Sequence, residues 1–177
     1  MQREFYGMTI EASQIAALNP IMVMVLIPLF SLGLYPAVER IFKVKVTPLR
    51  RMGAGMVVAA LSFVFVAVYQ SILDGGTSLS VAWQFIPFLL ITMAEVMISI
   101  TGLEFAYTQA PREMKSTLMS VWLLTIFGGN MIAAYVAKIN VFSGPMFFLF
   151  FAILMLAVAG VFAWGATRYR GRDYMQA

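Results

Sequence analysis

Five apolar stretches, each about 22 to 25 residues long, divide the chain at 14–38, 52–73, 83–107, 116–137 and 145–167. Wound at 1.5 Å per residue, such a run reaches roughly 33–38 Å, enough to cross a hydrocarbon layer about 30 Å thick with some tilt. Inside lipid every backbone N–H and C=O has to find a partner within the protein, and a single apolar run satisfies this only as a helix. The expected fold is therefore all-α, a polytopic membrane bundle of five transmembrane helices. The breaks between runs have physical causes. Thr47-Pro48 with Lys43, Lys45, Arg50 and Arg51 separates the first two, and Asp74-Gly75-Gly76-Thr77-Ser78 separates the second from the third. Ala110-Pro111-Arg112 ends the third, and Ser143-Gly144-Pro145 opens the fifth with a proline at a first helical turn.

With 62% hydrophobic and only 11% charged residues, a soluble domain of this length could not hide its apolar surface. The formal charge of +4 does not point to nucleic acid, because the basic residues gather in the short connections between spans. The connection 39–51 carries five Lys and Arg, the one around Arg112 and Lys115 two, and the tail after Thr167 three. Only Arg3 and Lys138 fall on the other side. The positive-inside rule then puts the N-terminus outside and the C-terminus in the cytoplasm. Tyr35, Tyr69, Trp83, Tyr107, Trp164 and Tyr169 stand near span ends, as interfacial aromatic rings do. Cysteine and histidine are both absent, so no metal site is expected and the commonest general base is missing. With one deep carboxylate and neither of those residues, a catalytic pair cannot be assembled. The first eleven residues hold Arg3 and Glu4 but no apolar core, and they do not read as a signal peptide. Short loops and Met- and Ala-rich spans suit a bacterial inner membrane.

Glu95 stands alone among apolar residues near the middle of the third span. A carboxyl group at that depth costs roughly 2.5–3.5 kcal/mol on insertion scales, so it normally faces a partner or a water-filled cavity. At about 100° per residue, Thr92, Glu95, Ser99 and Gly102 share one arc, and Met93, Val96, Ile100 and Leu103 form an adjacent apolar one suited to lipid or to packing. Two readings stay open for Glu95: a protonated group bonded to a neighbouring helix, or a carboxylate that takes an amine, a cation or a proton. Glu104, nearer the end of the span, reads as an ion-paired or solvated position beside Arg112 and Lys115.

On the fourth span Trp122, Thr125, Gly129 and Ala133 recur at helical spacing. Gly129-xxx-Ala133-xxx-Ala137 is a pattern that lets helix backbones approach closely. Trp122 lies deeper than an interfacial residue, and its spacing suits core packing and cavity lining equally. The first span carries Gln14 and Asn19-Pro20, then Pro28 and Pro36. Each proline frees a backbone carbonyl and can kink a helix. Asn19 alone is compatible with a simple bond to a neighbouring helix.

The run from Glu95-Val96-Met97-Ile98-Ser99 through Gly102-Leu103-Glu104-Phe105-Ala106-Tyr107-Thr108 to Gln109-Ala110-Pro111 resembles the signature of the proton-dependent oligopeptide transporter family, within the major facilitator superfamily. Met114-Lys115-Ser116, Trp122-Leu123-Leu124-Thr125 and Gly129-Asn130 continue the similarity. So do Asn19-Pro20, Pro28, Tyr35-Pro36 and Thr47-Pro48-Leu49-Arg50-Arg51-Met52 upstream. The similarity covers nearly the whole chain.

The resemblance implies a fold of twelve core helices in two six-helix bundles, with this chain supplying the eighth to the twelfth as a partial C-terminal bundle. The family's proton-coupling ExxER region and basic cavity residues would lie in the missing N-terminal bundle, the chain's expected partner. The glutamate aligned with Glu95 binds the ammonium end of the peptide in related transporters and can join a salt-bridge gate. The residues aligned with Asn19, Ser99 and Trp122 line the same cavity. On that basis the expected function is part of a symporter that imports di- and tripeptides by alternating access. The driving force would be the proton gradient, with no cofactor, and the surroundings would be membrane lipid. Two alternatives accompany it: the same fold carrying another small metabolite such as an amino acid or nitrate, and an inactive truncated half-bundle acting only through a partner.

Overall fold

A computed structural model describes residues 4–5, 8–9, 17–77, 79–139 and 143–169. It contains five helices of membrane-crossing length and hydropathy: α1 Asn19–Phe42, α2 Pro48–Asp74, α3 Ala82–Gln109, α4 Lys115–Ile139 and α5 Pro145–Arg168. Ahead of them two residue pairs, β1 Glu4–Phe5 and β2 Met8–Thr9, run antiparallel. Gln14 and the start of the first expected span lie outside the described residues, as do Arg3, Arg170 and Arg172.

Helix boundaries differ from the hydropathy reading where capping chemistry takes over from apolarity. The sequence reading starts the second helix at 52, but α2 begins four residues earlier. Thr47 is its N-cap, with Oγ1 accepting from Arg50 N at 3.4 Å, and Pro48 takes the first turn. Threonine before proline is a favourable helix start, since proline has no N–H to leave unsatisfied there. Arg50 and Arg51, read from sequence as part of the break between the first two spans, consequently sit inside the helix. α1 runs on to Phe42 and stops at Lys43, whose φ of 51° is left-handed.

Two helices are interrupted. In α1 the segment Leu29–Leu34 is π-helical, and in α3 the segment Val96–Ile100 is. The first lies between Pro28 and Pro36, each lacking the donor that would close an ordinary turn. Residues of both π turns belong to one apolar cluster. Leu26, Phe30 and Tyr35 of α1 are buried in one apolar cluster with Val96 and Met97 of α3, and Met93 and Ile100 pack against it. The arc containing Met93, Val96 and Ile100 is thus a packing face.

The helices are joined in the order α5–α2–α3–α1, and α2 makes the most extensive contacts, with α5 on one side and α3 on the other. Small residues permit these approaches. A Cβ added at Gly55 of α2 would stand 2.8 Å from both Ile98 Cγ1 and Met97 Cβ on α3. Ala59, Ala60, Ala152 and Ala159 are buried, and Phe63 stacks on Phe151 with centroids 6.1 Å apart. Ser62, buried, donates to the carbonyl of Pro87 at 2.7 Å and so ties α2 to α3 by a satisfied polar contact.

α4 stands apart. None of its described residues is buried, and it meets α3 only near the connection between them. A Cβ at Gly129 would touch nothing within 4 Å. The close packing expected of Gly129-xxx-Ala133-xxx-Ala137 is therefore not found among the described residues.

Candidate functional site

Glu95 ends the first α-helical part of α3, and the π turn starts at the next residue. π turns add a residue to a helical turn and recur at functional positions. This one breaks the 100° phase that puts Thr92, Glu95, Ser99 and Gly102 on one arc. The upper pair, Thr92 and Glu95, faces the start of α1. There Asn19 Nδ2 donates to Glu95 Oε2 at 3.1 Å, and Asn19 Oδ1 accepts from Thr92 Oγ1 at 3.0 Å. The same hydroxyl lies 2.9 Å from the carbonyl of Phe88, so its single proton is shared between two acceptors.

The network fixes the asparagine amide. A carboxylate only accepts, which turns the Asn19 NH₂ toward Glu95 and leaves its oxygen for the threonine. Thr92 is fully buried, Asn19 is half-buried, and Glu95 is exposed. Only one carboxylate oxygen is engaged among the described residues. Oε1 of Glu95 has no protein donor there, so an acidic side chain near the middle of a 28-residue span is held in place from one side and open on the other.

Asn19 and Glu95, named from sequence, are thus brought together. Ser99 lies within the π turn, half-buried, and does not join this network. Trp122 is half-buried on α4 and packs over the next part of α3. A Cβ placed on Gly102 would stand 2.9 Å from the Trp122 ring and 3.1 Å from the Met52 methyl. The polar arc is therefore split: its upper part meets α1, and its lower part receives an aromatic ring from α4. Glu104 is exposed and has no ion pair among the described residues. Lys115 Nζ lies instead 5.8 Å from the centre of the Tyr107 ring.

Sequence reasoning noted Thr92 only as part of the arc. Its role as the buried end of the Asn19 bridge was signalled by its place three residues before Glu95, on the same helix side. A second contact was missed altogether. Arg51 of α2 lays its guanidinium 4.1 Å from the centre of the buried Tyr35 ring of α1, a cation–π contact beneath the π-turn cluster. No group of three or more acidic, histidine or cysteine side chains suited to a metal ion occurs among the described residues.

The chain matches the sequence profile of the POT family over residues 1–146. It is 43% identical over 93 residues to Peptide transporter 3 of Caenorhabditis elegans, a stretch covering 52% of this chain and 13% of that protein. It is 46% identical over 91 residues to Solute carrier family 15 member 2 of Rattus norvegicus, covering 51% and 12%. The chain thus spans only a small part of the length of these relatives. Among solved structures, an auto-inhibited POT family peptide transporter superposes with a TM-score of 0.85 at 36% identity, over 98% of this chain and 36% of that one. The POT family transporter PepTSo superposes with a TM-score of 0.81 at 39% identity, over 94% and 35%. The bundle is part of a major facilitator superfamily fold. By profile, by sequence and by the arrangement of its five helices, this chain is an integral membrane protein of the POT transporter family.

Proposed function

We propose that this chain forms the eighth to twelfth helices of a proton-coupled symporter that imports di- and tripeptides by alternating access, and that it acts in transport rather than catalysis. One observation carries the reading: the exposed mid-span carboxylate of Glu95, with Oε2 held by Asn19 and Oε1 open. A peptide's ammonium group would meet Oε1 through a charge-assisted hydrogen bond, roughly twice as strong as a neutral one. Asn19 would keep the carboxylate aimed, Ser99 would add a hydroxyl one turn along, and Trp122 would wall the space for a peptide side chain. The peptide carboxylate needs cations from elsewhere, which an N-terminal bundle would supply. Rigid-body rocking of two bundles around a fixed site is the usual way such folds alternate access. Relatives bearing the name of peptide transporters support the choice of cargo.

The basic connections would face the cytoplasm and the N-terminus the outside of a plasma membrane, in a bacterium its inner membrane, as the ten-to-two split of basic residues suggests. The test of the site is Glu95→Gln in the complete transporter. Dipeptide uptake should fall by about tenfold or more, the order expected when a charge-assisted hydrogen bond is replaced by a neutral one, while the amount in the membrane stays the same. Unchanged uptake and unchanged pH dependence would remove Glu95 from the mechanism. A competition panel of dipeptides, free amino acids and nitrate settles the cargo. A negative carboxylate at the site disfavours an anion, so competition by nitrate alone would overturn the peptide reading.

A further inference from the structure

A cleft of about 960 Å³ runs between α2 and α5, and no residue of α1 or α4 lines it. Its floor is apolar and made of small residues, among them Ala54, Ala159, Gly160 and Ala163. Its mouth, at the end where the basic connections lie, is formed by Lys45, Arg50 and Tyr169. Along α5 it reaches from Tyr169 back to Leu156, roughly 20 Å at 1.5 Å per residue, which is about the depth of one leaflet with its headgroup layer. No lining residue is acidic.

We propose that this cleft binds an anionic phospholipid, its phosphate on Lys45 and Arg50 and an acyl chain along the small-residue floor. Arg50 is held at the mouth because its Nη1 donates to the carbonyl of Lys45 at 2.8 Å. A guanidinium carries five N–H donors, and the others have no protein acceptor among the described residues. They match the oxygens of a phosphate, for which arginine geometry is well suited. Lys45 adds a second positive charge, and Tyr169 donates its hydroxyl to Gln109 Oε1 at 3.0 Å, closing the mouth toward α3. At Gly160 an added Cβ would meet nothing within 4 Å, so the floor is open space at that point. Basic pockets between transmembrane helices are the usual setting for anionic headgroups.

Native mass spectrometry of the purified full chain, incubated with equal amounts of phosphatidylglycerol and phosphatidylcholine, tests the site. The wild type should retain phosphatidylglycerol preferentially, and Lys45→Ala and Arg50→Ala should each lower that retention about fivefold. Lys45→Ala leaves the backbone carbonyl that holds Arg50 in place, so it carries the test if Arg50→Ala disturbs the helix start. Gly160→Leu adds bulk to the floor at a position whose Cβ meets no neighbour within 4 Å, and should reduce retention while the melting curve of the lipid-free protein stays put. Equal retention of the two lipids, retention untouched by the charge variants, or retention untouched by Gly160→Leu would each overturn the proposal. So would the absence of retained lipid from the wild type, the result expected if a protein segment covers the cleft.

Discussion

Asn19 is the residue on which the geometry around Glu95 depends, because it is the only described side chain that bonds to both the carboxylate and the buried Thr92 hydroxyl. Asn19→Ala removes both contacts at once. It should cost about 1–3 kcal/mol of stability, read as a lower thermal midpoint in detergent, and weaken peptide affinity more than maximal rate. Asn19→Asp tests the same point by charge: it sets a second carboxylate beside Glu95 and should be worse than alanine for uptake. A double-mutant cycle of Asn19→Ala with Thr92→Val should show coupling, since the two groups share a hydrogen bond. From sequence these residues are legible singly, as isolated polar groups in apolar runs. Their meeting is not, because it joins positions 76 and 73 residues apart and depends on the relative offset of α1 and α3.

At the scale of elements, all five helices follow from long apolar runs, and their errors fall at the ends. Thr47-Pro48 reads as a break when hydropathy alone is weighed and as a cap and first turn when backbone chemistry is. The π turns have no hydropathy signature, and only Pro28 and Pro36 hint at the first one. The crossing of α2 and α3 can be tested directly. In Gly55→Ala the new Cβ meets Met97 Cβ and Ile98 Cγ1 at 2.8 Å, and the Met97 Cβ, fixed to its own helix, cannot swing aside. Overpacking of this kind costs about 1–3 kcal/mol, so the melting midpoint should drop. Gly53→Ala, whose Cβ would reach Phe162 at an ordinary 3.9 Å, should be neutral or slightly stabilising. Equal effects at the two positions would contradict the close α2–α3 approach.

For the molecule as a whole, α4 shows what remains to be covered. A Cβ at Gly128 or Gly129 would meet nothing within 4 Å and no described residue of the helix is buried, and a partner helix from a larger bundle would fit this face. An immunoblot of native membranes with an antibody to the tail 168–177 checks this. A band more than twice the chain's 19.6 kDa is the expected result, and a band near that mass would turn attention to a separate partner. The absence of cysteine makes orientation equally accessible. Lys45→Cys should react with an impermeant maleimide only after the membrane is opened, and Ser143→Cys should react in intact cells. The central place of α2, finally, sets a timetable for synthesis. Its main neighbour, α5, is made only after α3 and α4. From Asp74 to Arg168 the ribosome needs about 5–20 s for roughly 90 residues. Throughout that interval the face of α2 meant for α5 waits in lipid, with its glycines and alanines unopposed.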